Sequence, residues 1–186
     1  MNNKNRSIDI MITRRIFLES TFAFANTVLL PAQVETMESR FISLRCVNTG
    51  FKYEGVYKIG NEWLMDEFTR EVGINRALWD WRQRRAHQIA PETVDIMYDV
   101  ARQAGAEPCG VFNIVSGYRT RQTARNNRTS TTSLHISGRA IDFSIDGIDV
   151  PQLVSAARGM ALGGVGDYAR SRYPFIYVDN GRVRSW

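Results

Sequence analysis

Two periodicities divide the chain. From Arg40 to Leu64, "RFISLRCVNTGFKYEGVYKIGNEWL" alternates apolar and polar positions and is broken by Gly50 and Gly60. That pattern predicts a small antiparallel meander of two or three strands. The following "DEFTREVGINRALWDWRQRRA" sets Phe68, Val72, Leu78 and Trp81 near helical spacing. It predicts a helix, a short break at Gly73-Ile74-Asn75, and a second helix. Trp79 and Trp81 read there as core and surface anchors. His87, after Arg84 and Arg85, reads as a solvated histidine near the negative helix end. "APETVDIMYDVARQAG" is the clearest helix, with Pro91 in the first turn, Gly105 at the C-cap, and Val94, Met97, Val100 and Ala101 as its apolar stripe. "GVFNIVSGYRT" reads as a strand running into a turn, "RQTARNNRTSTTS" as a short helix and polar loop, and "GRAIDFSI" as a strand. "VPQLVSAARGMALGG" reads as a helix, and "RYPFIYVDNGRVRSW" as a final strand and hairpin turning at Asn180-Gly181. Intermixed helices and strands with hairpin links predict an antiparallel α+β domain.

Composition narrows this picture. With 186 residues, 44% of them hydrophobic, the chain suits one globular domain with a proper core. No apolar run reaches 18 residues, so nothing reads as a membrane span. The formal net charge is +5, and residues 1–32 hold Lys4, Arg6, Arg14 and Arg15 against Asp9 and Glu19, which leaves +3 for the remainder. Such a balance fits an anionic partner without choosing among wall polymer, nucleic acid and membrane surface. Within residues 1–32, Arg14-Arg15 precede a moderately apolar run from Ile16 to Leu30. A basic start, a short apolar stretch and small residues after it describe an export signal, here of the twin-arginine type. This predicts an envelope location, with residues 33–186 as the single folded domain and no membrane anchor once the signal is removed. The export signal and the lack of a clustered basic helix argue against nucleic-acid binding. Cys46 and Cys109, the only cysteines, can pair in an oxidising compartment or remain separate buried thiols.

The chemistry centres on "SLHISGRAIDF", residues 133 to 143. Gly138 permits a turn after His135. In the strand that follows, Ala140, Asp142 and Ser144 share one face, while Ile141, Phe143 and Ile145 face the core. Asp142 then points toward a cleft beside a loop-borne histidine. An imidazole and a carboxylate suit zinc, and a catalytic site needs one more protein ligand and an open position for water. Taken alone, the spacing fits a turn histidine and a capping aspartate better than a metal site.

"SGYR", "SLHISGRAIDF", "GGVGDY" and "YPFIYVDNGRVRSW" occur together and in order. This set resembles the murein endopeptidase K-like family of zinc peptidases, within the D-Ala-D-Ala peptidase and Hedgehog-like group, over about residues 40–186. The resemblance implies a Hedgehog/DD-peptidase-like α+β fold with a central antiparallel sheet flanked by helices. It implies hydrolysis of peptide cross-links in peptidoglycan with one zinc ion, and a monomer. Carried over, His135 and Asp142 match two of three zinc ligands. The third is a histidine in a Phe-(Ile/Val)-His-(Val/Ile)-Asp pattern, and here the stretch is "FIYVD", with Tyr177 at the ligand position.

Three readings of that departure stand open. Tyr177 ligates as a phenolate, since bound metal lowers a ligand's pKa. Alternatively Asp179, on the same strand face, serves instead. In the third, the site is dead and the protein is a non-catalytic peptidoglycan-binding relative. If the site works, Asp179 is the candidate proton acceptor for the attacking water. Arg119 matches the family arginine that holds a substrate carboxylate or the developing oxyanion. Tyr118 is expected in the cleft wall, and Ser133 in ordering the loop before His135.

Overall fold

The computed structural model describes residues 38–107, 110–127 and 130–186. The segment predicted as an export signal and Cys109 lie outside them. The first strands are β1 (Ser39–Cys46), β2 (Lys52–Ile59) and β3 (Glu62–Trp63), an antiparallel meander as expected. Gly50 at φ +70° turns the first hairpin. After α1 (Met65–Thr69), α2 (Ile74–Ala77) and α3 (Pro91–Gln103) come β4 (Val111–Ser116), α4 (Arg121–Asn126) and a single 3₁₀ turn at Leu134–Ser137. The chain closes with β5 (Ala140–Ile145), α5 (Val150–Met160), β6 (Gly164–Tyr168), β7 (Phe175–Asp179) and β8 (Arg184–Ser185).

All eight strands join one sheet in the order β3-β2-β1-β4-β5-β7-β6-β8. The expected antiparallel sheet is mixed: β1 pairs with β4, and β6 with β8, in parallel. The β1–β4 pairing follows from the path between them, because the α1–α3 segment carries the chain back before β4 enters. Two-residue strands, β3 and β8, form the rims. Helices α3 and α5 pack on each other; α3 lies against β5 and β7, and α5 against β6 and β7. Ile141, Phe143, Ile176 and Val178 point into that layer, each fully buried, together with Val94, Met97 and Leu153. Each such side chain contributes about 2 kcal/mol of apolar burial. The alternate residues of the same strands form the opposite face, where the polar groups gather.

Three expectations change. The second helix of the 66–86 segment is a single turn, Ile74–Ala77. The cause is Asp80, 1% exposed, whose carboxylate accepts N–H groups from Arg82 (3.1 Å) and Thr120 (2.9 Å) and the Thr120 hydroxyl (2.9 Å). Those bonds hold a tight turn in which Arg84 takes φ +52°. His87 therefore ends no helix. It is exposed and stacks on Tyr118, ring centroids 4.7 Å apart. Finally, Asn180-Gly181 does not close a hairpin on β7, because β8 crosses to pair with β6. The predicted α3 stands, from Pro91 at its first turn to Gly105 beyond its end at φ +87°.

Candidate metal centre

His135 is presented by the 3₁₀ turn, which Gly138 ends in the left-handed region at φ +67°. A side chain at Gly138 would run into the Gln88 carbonyl. The turn is stitched to the exit of β4, since the Arg119 N–H donates to the His135 carbonyl (3.1 Å). His135 Nδ1 lies 2.6 Å from the Gly117 carbonyl oxygen. A carbonyl only accepts, so Nδ1 carries the hydrogen of this bond and Nε2 is the nitrogen turned toward Asp142. Nε2 faces Asp142 Oδ2 at 3.4 Å, and both side chains are almost fully buried. A backbone carbonyl on the second ring nitrogen is the usual outer support of a metal-binding histidine.

Asp142 sits on the open face of β5, as its alternation predicts. Across the sheet its neighbours are Ser116 on β4 and Tyr177 on β7, and Tyr177 in turn faces Gly166 on β6. Arg119 bridges this row: its Nε donates to Ser116 Oγ (2.7 Å) and its Nη2 to Asp142 Oδ2. The cleft above the row encloses about 500 Å³ and is lined by His135, Asp142, Arg119, Tyr177, Phe175 and Trp186, among others.

Tyr177 is close by, its ring edge-on to His135 at 5.3 Å between centroids. Its hydroxyl, however, donates to Asp179 Oδ2 at 2.6 Å. Burial, and then the adjoining Asp179 carboxylate, push this phenol well above the ordinary tyrosine range. Asp179 is wholly buried and does not line the cleft. Its oxygens accept from Arg184 Nη2 (2.6 Å), Gly164 N (3.0 Å), Gly181 N (2.8 Å) and Tyr177. Burial alone would raise this carboxyl; Arg184 and the other donors hold it below the usual carboxylate range.

Of the residues expected at the site, His135, Asp142, Arg119 and Tyr177 converge on one cleft, and Ser133 borders it. Tyr118 does not line it, because its ring packs against the core and under His87. The sequence reading missed Trp186, whose indole lies 5.1 Å from the Tyr177 ring and packs close to Gly166, where a Cβ would meet it at 3.0 Å. It also missed Ser116 and the Gly117 carbonyl, which only the strand register brings to the site.

The donor set fits zinc in part. Two zinc ligands at about 2.0–2.1 Å in tetrahedral geometry stand roughly 3.3 Å apart, close to the His135–Asp142 separation. Among the described residues no third histidine, cysteine or carboxylate joins them. The third position holds a neutral phenol turned toward Asp179.

Known proteins match this chain over most of its length. The family model for the peptidoglycan L,D-endopeptidase MepK matches residues 34–186. A probable peptidoglycan L,D-endopeptidase MepK of Haemophilus influenzae is 30% identical over 166 residues, covering 87% of this chain and 85% of the relative. The Escherichia coli K12 peptidoglycan L,D-endopeptidase MepK is 29% identical over 160 residues, covering 83% and 84%. A Shigella flexneri relative of the same name aligns equally well. With a match running from just before β1 to the final tryptophan, the chain belongs to the Peptidase_M15_2 family of peptidoglycan L,D-endopeptidases.

Proposed function

We propose that this chain is a murein endopeptidase that hydrolyses peptide cross-links of peptidoglycan in the bacterial envelope, with one zinc ion anchored by His135 and Asp142. The observation that carries the reading is the pairing of His135 Nε2 with Asp142 Oδ2 at 3.4 Å on a cleft floor, with the imidazole tautomer fixed from behind by Gly117. Zinc bound there would polarise the scissile carbonyl and acidify a water molecule. Arg119, held by Ser116, offers its remaining N–H groups to a substrate carboxylate or carbonyl oxygen. Asp179 serves as a positioning residue in place of the proton acceptor suggested by its sequence motif. With its oxygens engaged, it fixes the Tyr177 hydroxyl and ties β7 to Arg184. The same engagement argues against Asp179 as a metal ligand, and the direction of the Tyr177 hydroxyl, toward Asp179, argues against a Tyr177 phenolate ligand. The region 1–32 directs the chain through the twin-arginine route. Changing Arg14 and Arg15 to lysine leaves the protein in the cytoplasm on fractionation, if that reading is right.

A second reading has its own support. Tyr177 replaces the expected third ligand and spends its proton on Asp179, which fits a relative that binds peptidoglycan without cutting it. Zinc content and sacculus digestion separate the two. Near-stoichiometric zinc that is lost in His135→Ala, together with release of soluble muropeptides, supports the peptidase. Absence of both at micromolar zinc leaves the binding protein.

A further inference from the structure

The open sheet face holds a second cleft beside the first. Asp142 lines the one; Ser144, two residues along β5 and on the same face, lines the other, which encloses about 570 Å³. The approach to β7 repeats the arrangement, with Phe175 bordering the first cleft and Pro174 and Tyr173 the second. Two residues of a strand span about 6–7 Å, so one extended peptide crosses from cleft to cleft without a bend.

The second cleft has apolar walls from Val47, Val115, Tyr173 and Pro174 and contains a fixed cation. Arg45 donates from Nε to Asn113 Oδ1 (2.8 Å) and from Nη2 to Asp146 Oδ2 (3.0 Å), while Asn113 Nδ2 donates to Asp146 Oδ1 (2.7 Å). This closed ring joins β1, β4 and the end of β5. It leaves Arg45 Nη1 without a protein partner among the described residues, on a side chain that is 42% exposed. Exposed ion pairs of this kind contribute little to stability, but a guanidinium held at two of its nitrogens is pre-organised to receive a carboxylate. The neighbours add positive charge: Lys52 pairs with Arg45 across β1–β2, and Arg172 lies over the Tyr173 ring, itself 70% exposed.

We propose that this cleft binds the second stem of a cross-linked muropeptide, taking its free carboxylate on Arg45 and its peptide groups on Asn113 and Ser144. The proposal rests on the reading that peptidoglycan peptides are the ligand. A cross-link joins two stem peptides, so a receptor for one stem holds half the substrate. Two adjoining clefts on one face, each with an arginine, hold both.

The test is calorimetric titration of the full chain with three soluble probes: a monomeric stem peptide, a cross-linked dimer whose linking amide is a non-cleavable ketomethylene, and that dimer with the second stem's carboxylate amidated. The dimer is expected to bind at least about ten-fold more tightly than the monomer, because its second stem adds contacts intramolecularly. Arg45→Gln and Ser144→Tyr each abolish that advantage and leave monomer binding unchanged. Amidation weakens the dimer on the parent protein and has no effect on Arg45→Gln. Equal binding of monomer and dimer by the parent overturns the proposal while leaving the peptide reading intact, as does an Arg45→Gln variant that weakens both alike. If no probe binds, the peptidoglycan reading falls and this proposal falls with it.

Discussion

Tyr177 decides what the site can hold, and its hydroxyl gives two separable tests. Tyr177→His places an imidazole at the position where the family motif has one. Zinc content measured by elemental analysis, and sacculus digestion, are both expected to rise above the parent if the tyrosine is a lost ligand. Tyr177→Phe removes only the hydroxyl. Since that group bonds Asp179, zinc content is expected to stay at the parent's level, while urea unfolding shows a loss of about 1 kcal/mol for one buried hydrogen bond. Loss of zinc in Tyr177→Phe would instead make the phenol a ligand. His135 and Asp142 were legible in the sequence because each announces itself locally, one by the glycine turn after it and the other by the alternation of its strand. Asp179 shared a strand face with Tyr177, as the period of two requires. Its engagement by Arg184, Gly164 and Gly181 was not legible, since it depends on how the chain turns after β7 and on the start of β6 lying beside it.

Among the elements, long periodic ones were readable and short ones were not. The α3 stripe and the two faces of β5 follow from 3.6- and 2-residue repeats; burial agrees at each α3 stripe position, while β5 is buried on both faces except at Ser144. Strand β8 has two residues and therefore no pattern, so its crossing to β6 could not be anticipated from the Asn180-Gly181 signal. The Asp80 turn shows the other failure. A helical spacing of apolar residues was overridden by one buried carboxylate collecting donors from Arg82 and Thr120. The 3₁₀ turn carrying His135 depends on a single backbone conformation. Gly138→Ala forces an L-residue to φ +67° and drives a methyl group against the Gln88 carbonyl. A loss of more than about 1 kcal/mol is expected, read from the urea midpoint, with weaker zinc retention because His135 moves with its turn.

For the molecule as a whole, buried titratable groups define the pH range of stability. Burial alone would raise the carboxyls of Asp80, Asp95 and Asp179, but the hydrogen bonds and cations around them hold each below its ordinary value. A folded-state pKa below the unfolded one contributes stability that is complete above the unfolded value and lost as pH falls through the folded one. Tyr53, Tyr57 and Tyr177 shift the other way, raised first by burial and then by neighbouring carboxylates. Their contribution is complete below the unfolded tyrosine value and is lost as pH rises past it. Unfolding followed by fluorescence should therefore show a plateau from about pH 4 to about pH 10, falling on both sides. Asp179→Asn lowers the plateau and flattens the acid limb, and titration at 295 nm leaves these three phenols protonated until the fold is lost.

The rims of the sheet bear on solubility. Among the described residues the sheet ends in two strands of two residues each, which cover only Lys58–Ile59 of β2 and Gly164–Val165 of β6. Where they pair, such borders leave little unpaired backbone for a passing chain, while the rest of the β2 edge has no outer strand partner among the described residues. On the β8 side the protection comes from the last residues alone. Deleting Val183–Trp186 would uncover Gly164 and Val165 of β6, which pair with Arg184 and Ser185. Light scattering of that truncated chain is expected to show more concentration-dependent association than the intact chain, because the short tail that walls the cleft with Trp186 also pairs with the β6 edge.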